Sequence, residues 1–315
     1  MTVTLFTLEG KEITVNRFTE FNLTQSVGVA CDSLWVRFPY NSEIGEVVRV
    51  QAYKNSRLIF SGYCDCQRNI QNENGFEIYL YARSSACVLV DNEAEPFTYE
   101  CPTAKQLFRS NAEELGFTSS LPELESRDKY RVEKGVSRFG AIGNFVFLLS
   151  GNHICVTPEN EIRVLELSSD IKSLNCFDIA SAVQTVNRSE PYSRINFKQS
   201  SGEGRYSVHT ESRLSRELGI NRTAYINLSA LPKWQRENAV LQRLKGSFDD
   251  YKILEIKACG YVKHELFQRF SYNSPFGIYE DYALTDKKYT FDKNGEMTRL
   301  TLKKINDIKE ITYVD

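Results

Sequence analysis

The sequence predicts a mainly β fold with an α+β part: two small antiparallel β-barrel domains separated by an α+β domain, with a helical insertion in the second barrel. Three observations predict it. Short strand-like segments separated by turn residues fill both ends of the chain, aromatic residues make up 12% of it, and helical periodicity is concentrated in the middle and in one later segment. The chain has 315 residues, enough for two or three compact units. We place them at residues 1–94, 95–169 and 170–315, with the insertion at about 206–250.

The first barrel is predicted from a series of short segments with strand composition. They are Val3–Leu8, Ile13–Asn16, Phe18–Thr24, Leu34–Phe38, Val48–Tyr53, Leu58–Tyr63 and Phe76–Ala82. In the last of them Phe76, Ile78, Leu80 and Ala82 alternate with polar residues and therefore share one face. The preceding Asn72-Glu-Asn-Gly75 supplies the positive-φ residue of a tight hairpin.

The α+β domain is predicted from a change of periodicity after residue 94. A helix is expected over 102–115, with Pro102 at its start and Gly116 just past its end. A second amphipathic segment covers 139–149 and leads into two strands, at 154–157 and 161–166.

The last unit is predicted to return to strands at Phe177. A helix with apolar residues at helical spacing interrupts them at Leu231, Trp234, Leu241, Leu244 and Phe248. A hairpin around Asn294-Gly295 closes the unit. Gly295 stands five residues before Leu300, just as Gly75 of Asn74-Gly75 stands five residues before Leu80 in the first barrel. Hairpins favour Asn-Gly on steric grounds alone, so the sequence leaves an internal repeat open.

Composition excludes several classes of function. The chain has 39 basic and 41 acidic residues, so its charge of −2 creates no general attraction to nucleic acid or to a membrane surface. No apolar run approaches the roughly 18 residues of a membrane span. The N-terminus lacks a basic signal region, so we expect no secretion, and the eight cysteines are expected to be mainly buried thiols in a reducing cytoplasm.

The sequence contains no recognisable catalytic constellation. Cys64-Asp-Cys66 is expected to place both sulfurs on one face of a strand, but the three histidines are far away in the sequence, so two packed thiols are favoured over a metal site. The sequence has no Gly-x-Ser-x-Gly motif, and we assign no catalytic triad. Two acidic pairs, Glu113-Glu114 and Asp249-Asp250, are interpreted as solvated, and Gly202-Glu-Gly204 as a turn. We therefore expect no enzyme activity, no cofactor and no bound metal.

Two stretches resemble one family. The first is Leu80-Tyr-Ala-Arg83-Ser-Ser-Ala-Cys-Val-Leu-Val-Asp91 with the helix opening at Pro102. The second is the C-terminal run containing Gly260-Tyr261, the Phe267 segment, Asn273-Ser274-Pro275 and the Phe291–Leu302 hairpin. Together they resemble the central baseplate hub proteins of contractile phage tails, of the Mu-like and T-even kind, which also occur in prophages and tail-derived particles. The chain departs from the family at Ala82, often a glycine, and after Gly260, where a tight Asp-Gly turn is absent.

The resemblance implies a non-enzymatic homotrimeric ring that adapts a six-fold tail tube to a three-fold central spike. Its implied partners are the tail tube protein, the spike protein and the baseplate wedge proteins, while DNA or a tape-measure protein passes through the lumen without sequence-specific binding. The implied location is the virion tail baseplate, assembled in the host bacterial cytoplasm without membrane insertion. Two similar barrels in each of three chains would supply six near-equivalent units.

Two other functions stay open at this point. A distal tail adaptor of a non-contractile phage would form a six-fold ring, and a cell-wall carbohydrate-binding β-module would use exposed Tyr and Trp. A wall hydrolase is disfavoured because the three units use all 315 residues. Arg83 and Asp91 are predicted to form a charge pair that fixes the domain junction, and Trp234 is predicted to be either a core residue or an interface anchor.

Overall fold

The computed structural model of the chain describes residues 1–40, 44–73, 75–198, 206, 208–229, 233–275, 277–305 and 311–314. Its strands are β1 Thr2–Thr7, β2 Glu12–Val15, β3 Glu20–Ser26, β4 Ser33–Pro39, β5 Val47–Lys54, β6 Arg57–Asn72, β7 Gly75–Ser84, β8 Phe97–Tyr99, β9 Thr118–Ser119, β10 Tyr130–Val132, β11 Ile154–Val156, β12 Glu161–Val164, β13 Ile171–Ser173, β14 Ile179–Val186, β15 Arg194–Lys198, β16 Val208–Ser212, β17 Thr223–Asn227, β18 Lys252–Cys259, β19 Arg269–Ser274, β20 Gly277–Asp292, β21 Gly295–Lys304 and β22 Ile311–Val314. Its helices are α1 Cys87–Asp91, α2 Ala104–Asn111, α3 Arg138–Ser150, α4 Arg213–Glu217 and α5 Lys233–Gly246, with 3-10 turns at Glu113–Leu115 and Leu174–Cys176.

The strands at the two ends of the chain form one sheet. Its order is β14-β18-β21-β20-β3-β4-β7-β6-β5-β1-β2, and β13 and β19 extend it from β20. Among the described residues this path does not close on itself. The expected class, mainly β, is confirmed, but the arrangement as two barrels is not. The two sets of strands are instead joined through β3 and β20, which pair from Ser26–Asp286 to Phe21–Phe291.

The length of β20 is the physical reason for this join. Its first half pairs with β19 as far as Ala283 and continues beyond the end of that pairing. The second half, after a bulge between Leu284 and Asp286, has an edge that β19 does not reach. Backbone N–H and C=O groups on such an edge need partners, and β3 supplies them.

The structure resolves the question of an internal repeat. The segments β4, β5, β6 and β7 pair with one another in almost the same register as β18, β19, β20 and β21, with a constant difference of 220 in residue number. Corresponding pairs are Arg49–Tyr63 with Arg269–Ala283, Leu34–Ala82 with Leu254–Leu302, and Asn72–Gly75 with Asp292–Gly295. The bulge between Cys64 and Cys66 also corresponds to the bulge between Leu284 and Asp286. The two hairpins are thus parts of equivalent four-strand units.

A fifth strand extends the repeat. β3 pairs with β4 as β14 pairs with β18, so that Phe21–Val36 corresponds to Ala182–Ile256. The connections between these strands differ in length. Six residues, 27–32, join β3 to β4, whereas residues 187–251 lie between β14 and β18 and contain strands β15, β16 and β17 with helices α4 and α5. Strand β22, from the end of the chain, pairs with β16 and completes the small sheet β17-β15-β16-β22. This insertion has its own buried core, which includes Ile195, Phe197, Val240, Leu244 and Phe248.

The middle of the chain folds as the predicted mixture of helices and short strands. Helix α2 begins after Thr103, whose side chain forms a capping box with Gln106, and a 3-10 turn then carries the chain to Gly116 at φ +80°. Helix α3 confirms the segment predicted at 139–149 and ends at Gly151, also left-handed. Both helices pack over a core that includes Leu107, Ile142, Phe145, Val146 and Ile162. No helix in the described part of the chain has the length and apolar character needed to cross a bilayer.

Candidate assembly interface

The predicted pair, Arg83 and Asp91, is in direct contact. Arg83 ends β7, and its guanidinium donates to both carboxylate oxygens of Asp91, at 3.0 and 2.7 Å. It also donates to both oxygens of Asp65, at 2.6 and 3.2 Å. The hydrogen bonds from Arg83 lower the pKa of Asp91, and the two carboxylates raise the pKa of Arg83. The side chain thus links the bulge of β6 to helix α1, where the chain leaves the sheet after β7.

The backbone beneath this pair is tightly packed. Gly62 of β6 faces Ser84 of β7, and a Cβ at Gly62 would lie 2.0 Å from the carbonyl oxygen of Arg83. The amide of Ser85 continues the contact by donating to the carbonyl of Ser61 at 3.1 Å. The strand that leaves the sheet is therefore held to β6 by main-chain contacts that admit only glycine at position 62.

Replacing Arg83 by alanine is expected to lower the free energy of unfolding by about 1–2 kcal/mol, because two partly exposed, bidentate pairs are lost together. Urea unfolding followed by tryptophan fluorescence measures this. Arg131→Ala is the matched control, since Arg131 pairs with Glu133 on the open surface and should change stability by less than about 0.5 kcal/mol. Unchanged melting and unchanged assembly of Arg83→Ala would remove the proposed role at the junction.

A second polar cluster lies where three parts of the chain meet: the strands before α1, the middle segment with α2 and α3, and the strands that follow it. Lys287 of β20 is buried, with 4% of its surface exposed, and its ammonium donates to the carbonyl oxygen of His264 at 3.0 Å. It also lies 5.6 Å from the centre of the Tyr261 ring. Burial lowers the pKa of Lys287 to about 8, although Asp32 and Glu265 oppose this by favouring the charged form. A buried ammonium in this position needs these partners to remain in the interior.

Ion pairs of Glu265 connect all three parts around this cluster. Its two carboxylate oxygens accept from Arg57 of β6 at 2.7 Å and from Arg163 of β12 at 2.5 Å. Hydrogen bonding and the charge of these two arginines lower the pKa of Glu265 against the opposing effect of burial. A cavity of about 200 Å³ lies beside them and is lined by residues of all three parts, among them Asp32, Cys155 and Tyr261. The cluster joins the parts through polar contacts rather than through a continuous apolar core.

Asp32 gives this junction a pH dependence. Burial raises its pKa from 3.8 to about 6, despite the hydrogen bond that it accepts from Gln25 at 2.7 Å. The protonated form therefore contributes stability that is fully present below pH 3.8 and is lost as the pH rises through 6. In Asp32→Asn this loss, about 1–3 kcal/mol, should disappear from the pH profile. Urea unfolding of both proteins between these pH values measures the difference, and parallel profiles would contradict the prediction.

An aromatic patch lies on β4 and β7, on the face of the sheet that points away from the core. Trp35 of β4 is 43% exposed, and its ring centre lies 4.7 Å from that of Tyr81 and 5.3 Å from that of Tyr79. The guanidinium of Arg68 lies 5.8 Å from the Tyr79 ring. Aromatic side chains flanked by arginine are typical of protein–protein interfaces. In the equivalent unit these aromatic positions hold Glu255, Arg299 and Thr301, so only one of the two units carries the patch.

Cys64 and Cys66 lie on either side of a bulge in β6. The bulge at Asp65 places Cys64 opposite Ala82 and Cys66 opposite Tyr81, so the expectation that both sulfurs share a face is wrong. Within the described ranges, no three His, Cys, Asp or Glu side chains are grouped as metal ligands would be. Trp234 is in helix α5, but its side chain lies outside the described residues, so its assignment stays a prediction.

No protein-family model and no curated protein matches the sequence. Solved structures do match the fold. The 43 kDa tail protein of prophage MuSo2 from Shewanella oneidensis superposes with a TM-score of 0.79 at 12% identity, over 96% of this chain and 98% of that protein. A tail protein from Neisseria meningitidis gives 0.74 at 17% identity, over 96% and 95%.

The chain has the fold of a phage tail protein. The same fold extends to a type VI secretion component of Escherichia coli that is described as structurally similar to the T4 tail proteins gp27 and gp5, with a TM-score of 0.58 at 8% identity over 92% of this chain and 74% of that one. The resemblance to baseplate hub proteins is thereby confirmed at the level of the fold. The tail-protein fold includes both equivalent units and the middle part, since the first two superpositions span nearly the whole of each chain.

Proposed function

We propose that the chain is the structural hub of a contractile phage-tail or tail-derived baseplate, a homotrimeric ring that adapts the six-fold tail tube to the three-fold central spike. One observation carries the proposal: within a tail-protein fold, each chain contains two equivalent four-strand units with the same pairing register. Three chains then present six equivalent units around one axis, which allows one face to match six-fold symmetry and the whole particle to keep three-fold symmetry.

The proposal includes partners and organisation. The tube protein, the spike protein and the wedge proteins are the proposed neighbours, DNA or a tape-measure protein passes through the opening, and the virion tail is the proposed location. The chain acts through its shape rather than through catalysis. Residues 1–94, 95–169 and 170–315 are the three proposed domains. The contact between Arg83 and Asp91 is proposed to hold the first domain to the second.

The experiment is mass photometry of the purified chain together with negative-stain electron microscopy. A three-chain mass and a three-fold ring with six similar lobes are the expected results. A six-chain ring would support the distal adaptor of a non-contractile tail instead. A monomer that is retained on purified cell-wall glycan would support the carbohydrate-binding module and overturn the hub.

A further inference from the structure

We propose that strand β14 of one copy pairs antiparallel with the second half of β6 in the next copy, so that the sheet continues from chain to chain. This inference rests on the proposed ring and identifies the contact that closes it. It follows from the internal repeat. Inside one chain, β3 pairs with β20, and the strands equivalent to these two, β14 and β6, do not pair with each other within the same chain.

The contact inside the chain is the model for the contact between chains. There, β3 pairs with residues 286–291 of β20. The repeat makes β14 the equivalent of β3 and makes residues 66–71 of β6 the equivalent of 286–291. Strand β5 pairs with β6 only as far as Tyr63, so beyond that residue no described strand covers the outer edge of β6. Likewise, no described strand pairs with the outer edge of β14, which ends the sheet.

The composition of β14 indicates that this edge is covered in the assembly. Its sequence, Ile-Ala-Ser-Ala-Val-Gln-Thr-Val, has no charge, proline or glycine, and all of its residues except Ile179 are exposed. Val183 and Val186 are 53% and 47% exposed. A long, uncharged, exposed edge strand is a site of uncontrolled pairing unless a partner strand occupies it. The chain offers such a partner in β6 of a second copy.

The repeat also fixes the register of the pairing. Applying the alignment of β3 with β20 sets Arg68 opposite Thr185, Asn69 opposite Gln184, and Ile70 opposite Val183 of the next copy. No like charges face each other in these three pairs, and the apolar Ile70 meets a valine. Because one end of the sheet joins a different strand of the neighbour, the contact is heterologous and can close a ring.

Disulfide trapping tests the register. In a chain carrying Ile70→Cys and Val183→Cys, the added oxidant diamide should join neighbouring copies into covalent dimers and trimers on non-reducing gels. The combination Ile70→Cys with Gln184→Cys is the control, because adjacent strand residues point to opposite faces. The single Ile70→Cys variant measures the background from the eight native cysteines.

A charge on the edge tests the contact without cross-linking. Val183→Lys should reduce the trimer fraction at micromolar concentration by about tenfold or more while circular dichroism stays unchanged, since Val183 is exposed in the single chain. Leu8→Lys, in the turn after β1 at a residue that is 66% exposed, should leave assembly intact. A three-fold ring that persists in Val183→Lys, or that fails to cross-link at the paired sites, overturns this inference and leaves the hub intact. A wild-type chain that stays monomeric and uncross-linked overturns both.

Discussion

Replacing Gly62 by alanine is expected to lower the free energy of unfolding by at least about 3 kcal/mol. The added Cβ would lie 2.0 Å from the carbonyl oxygen of Arg83, 2.7 Å from its carbonyl carbon and 2.8 Å from the Cα of Ser84. These are backbone atoms of a paired strand, so no side-chain rotation relieves the overlap, and β6 and β7 must separate. Urea unfolding of the purified protein measures the effect.

Gly28→Ala is the matched control for this substitution. Its Cβ would meet only the hydroxyl of Ser26, at 3.9 Å, and its backbone is not in the left-handed region. Its stability should stay within about 0.5 kcal/mol of the wild type. A Gly62→Ala protein that unfolds at the same urea concentration as Gly28→Ala would show that the two strands are not in close contact here.

Replacing Tyr289 by alanine is expected to remove about 3–5 kcal/mol of stability and to loosen the join between the two equivalent units. Tyr289 lies on β20 but is fully buried in the core of the first unit. Its ring centre is 5.7 Å from that of Phe21 and 4.9 Å from that of Tyr261. Truncation therefore leaves a cavity between the two halves of the sheet. Urea unfolding measures the loss, and faster proteolysis around residue 289 should accompany it.

Tyr289→Phe separates packing from hydrogen bonding at this position. It keeps the ring and removes only the hydroxyl, which accepts a hydrogen bond from the ammonium of Lys54 at 3.3 Å. The expected loss is about 1 kcal/mol, because Lys54 retains its ion pair with Glu296 at 2.5 Å. If Tyr289→Ala and Tyr289→Phe were equally stable, the ring would not be an essential contact between the units.

The sequence predicted the local elements of this fold better than their assembly. Alternation in Phe76–Ala82 and helical spacing in 139–149 identify a strand and a helix, because each pattern depends on residues close in the chain. The join of β3 to β20 depends on two segments more than 250 residues apart, so no local pattern indicates it. The prediction of two separate barrels, which was made from the series of strands at each end of the chain, did not include this pairing.

The site was predicted in part for the same reason. Arg83 and Asp91 are eight residues apart, and the structure brings them into contact, but Asp65 as a third member requires the bulge in β6. Lys287 and Tyr289 were missed although one signal marks them. They are two residues apart in a strand and therefore share its buried face, where a lysine calls for buried partners. Gly62 carries no such signal, because the clash comes from a neighbouring strand.

The unequal connections of the two units have a further consequence for a ring built from three chains. The short turn at residues 27–32 and the insertion at 187–251 occupy the same place in their units, so neighbouring lobes would alternate between a bare corner and one that bears an extra folded module. A partner that binds only the inserted module would then have three binding sites on the ring, whereas a partner that binds the strands common to both units would have six. The number of copies that each neighbour can bind would thus be decided by the length of a single loop.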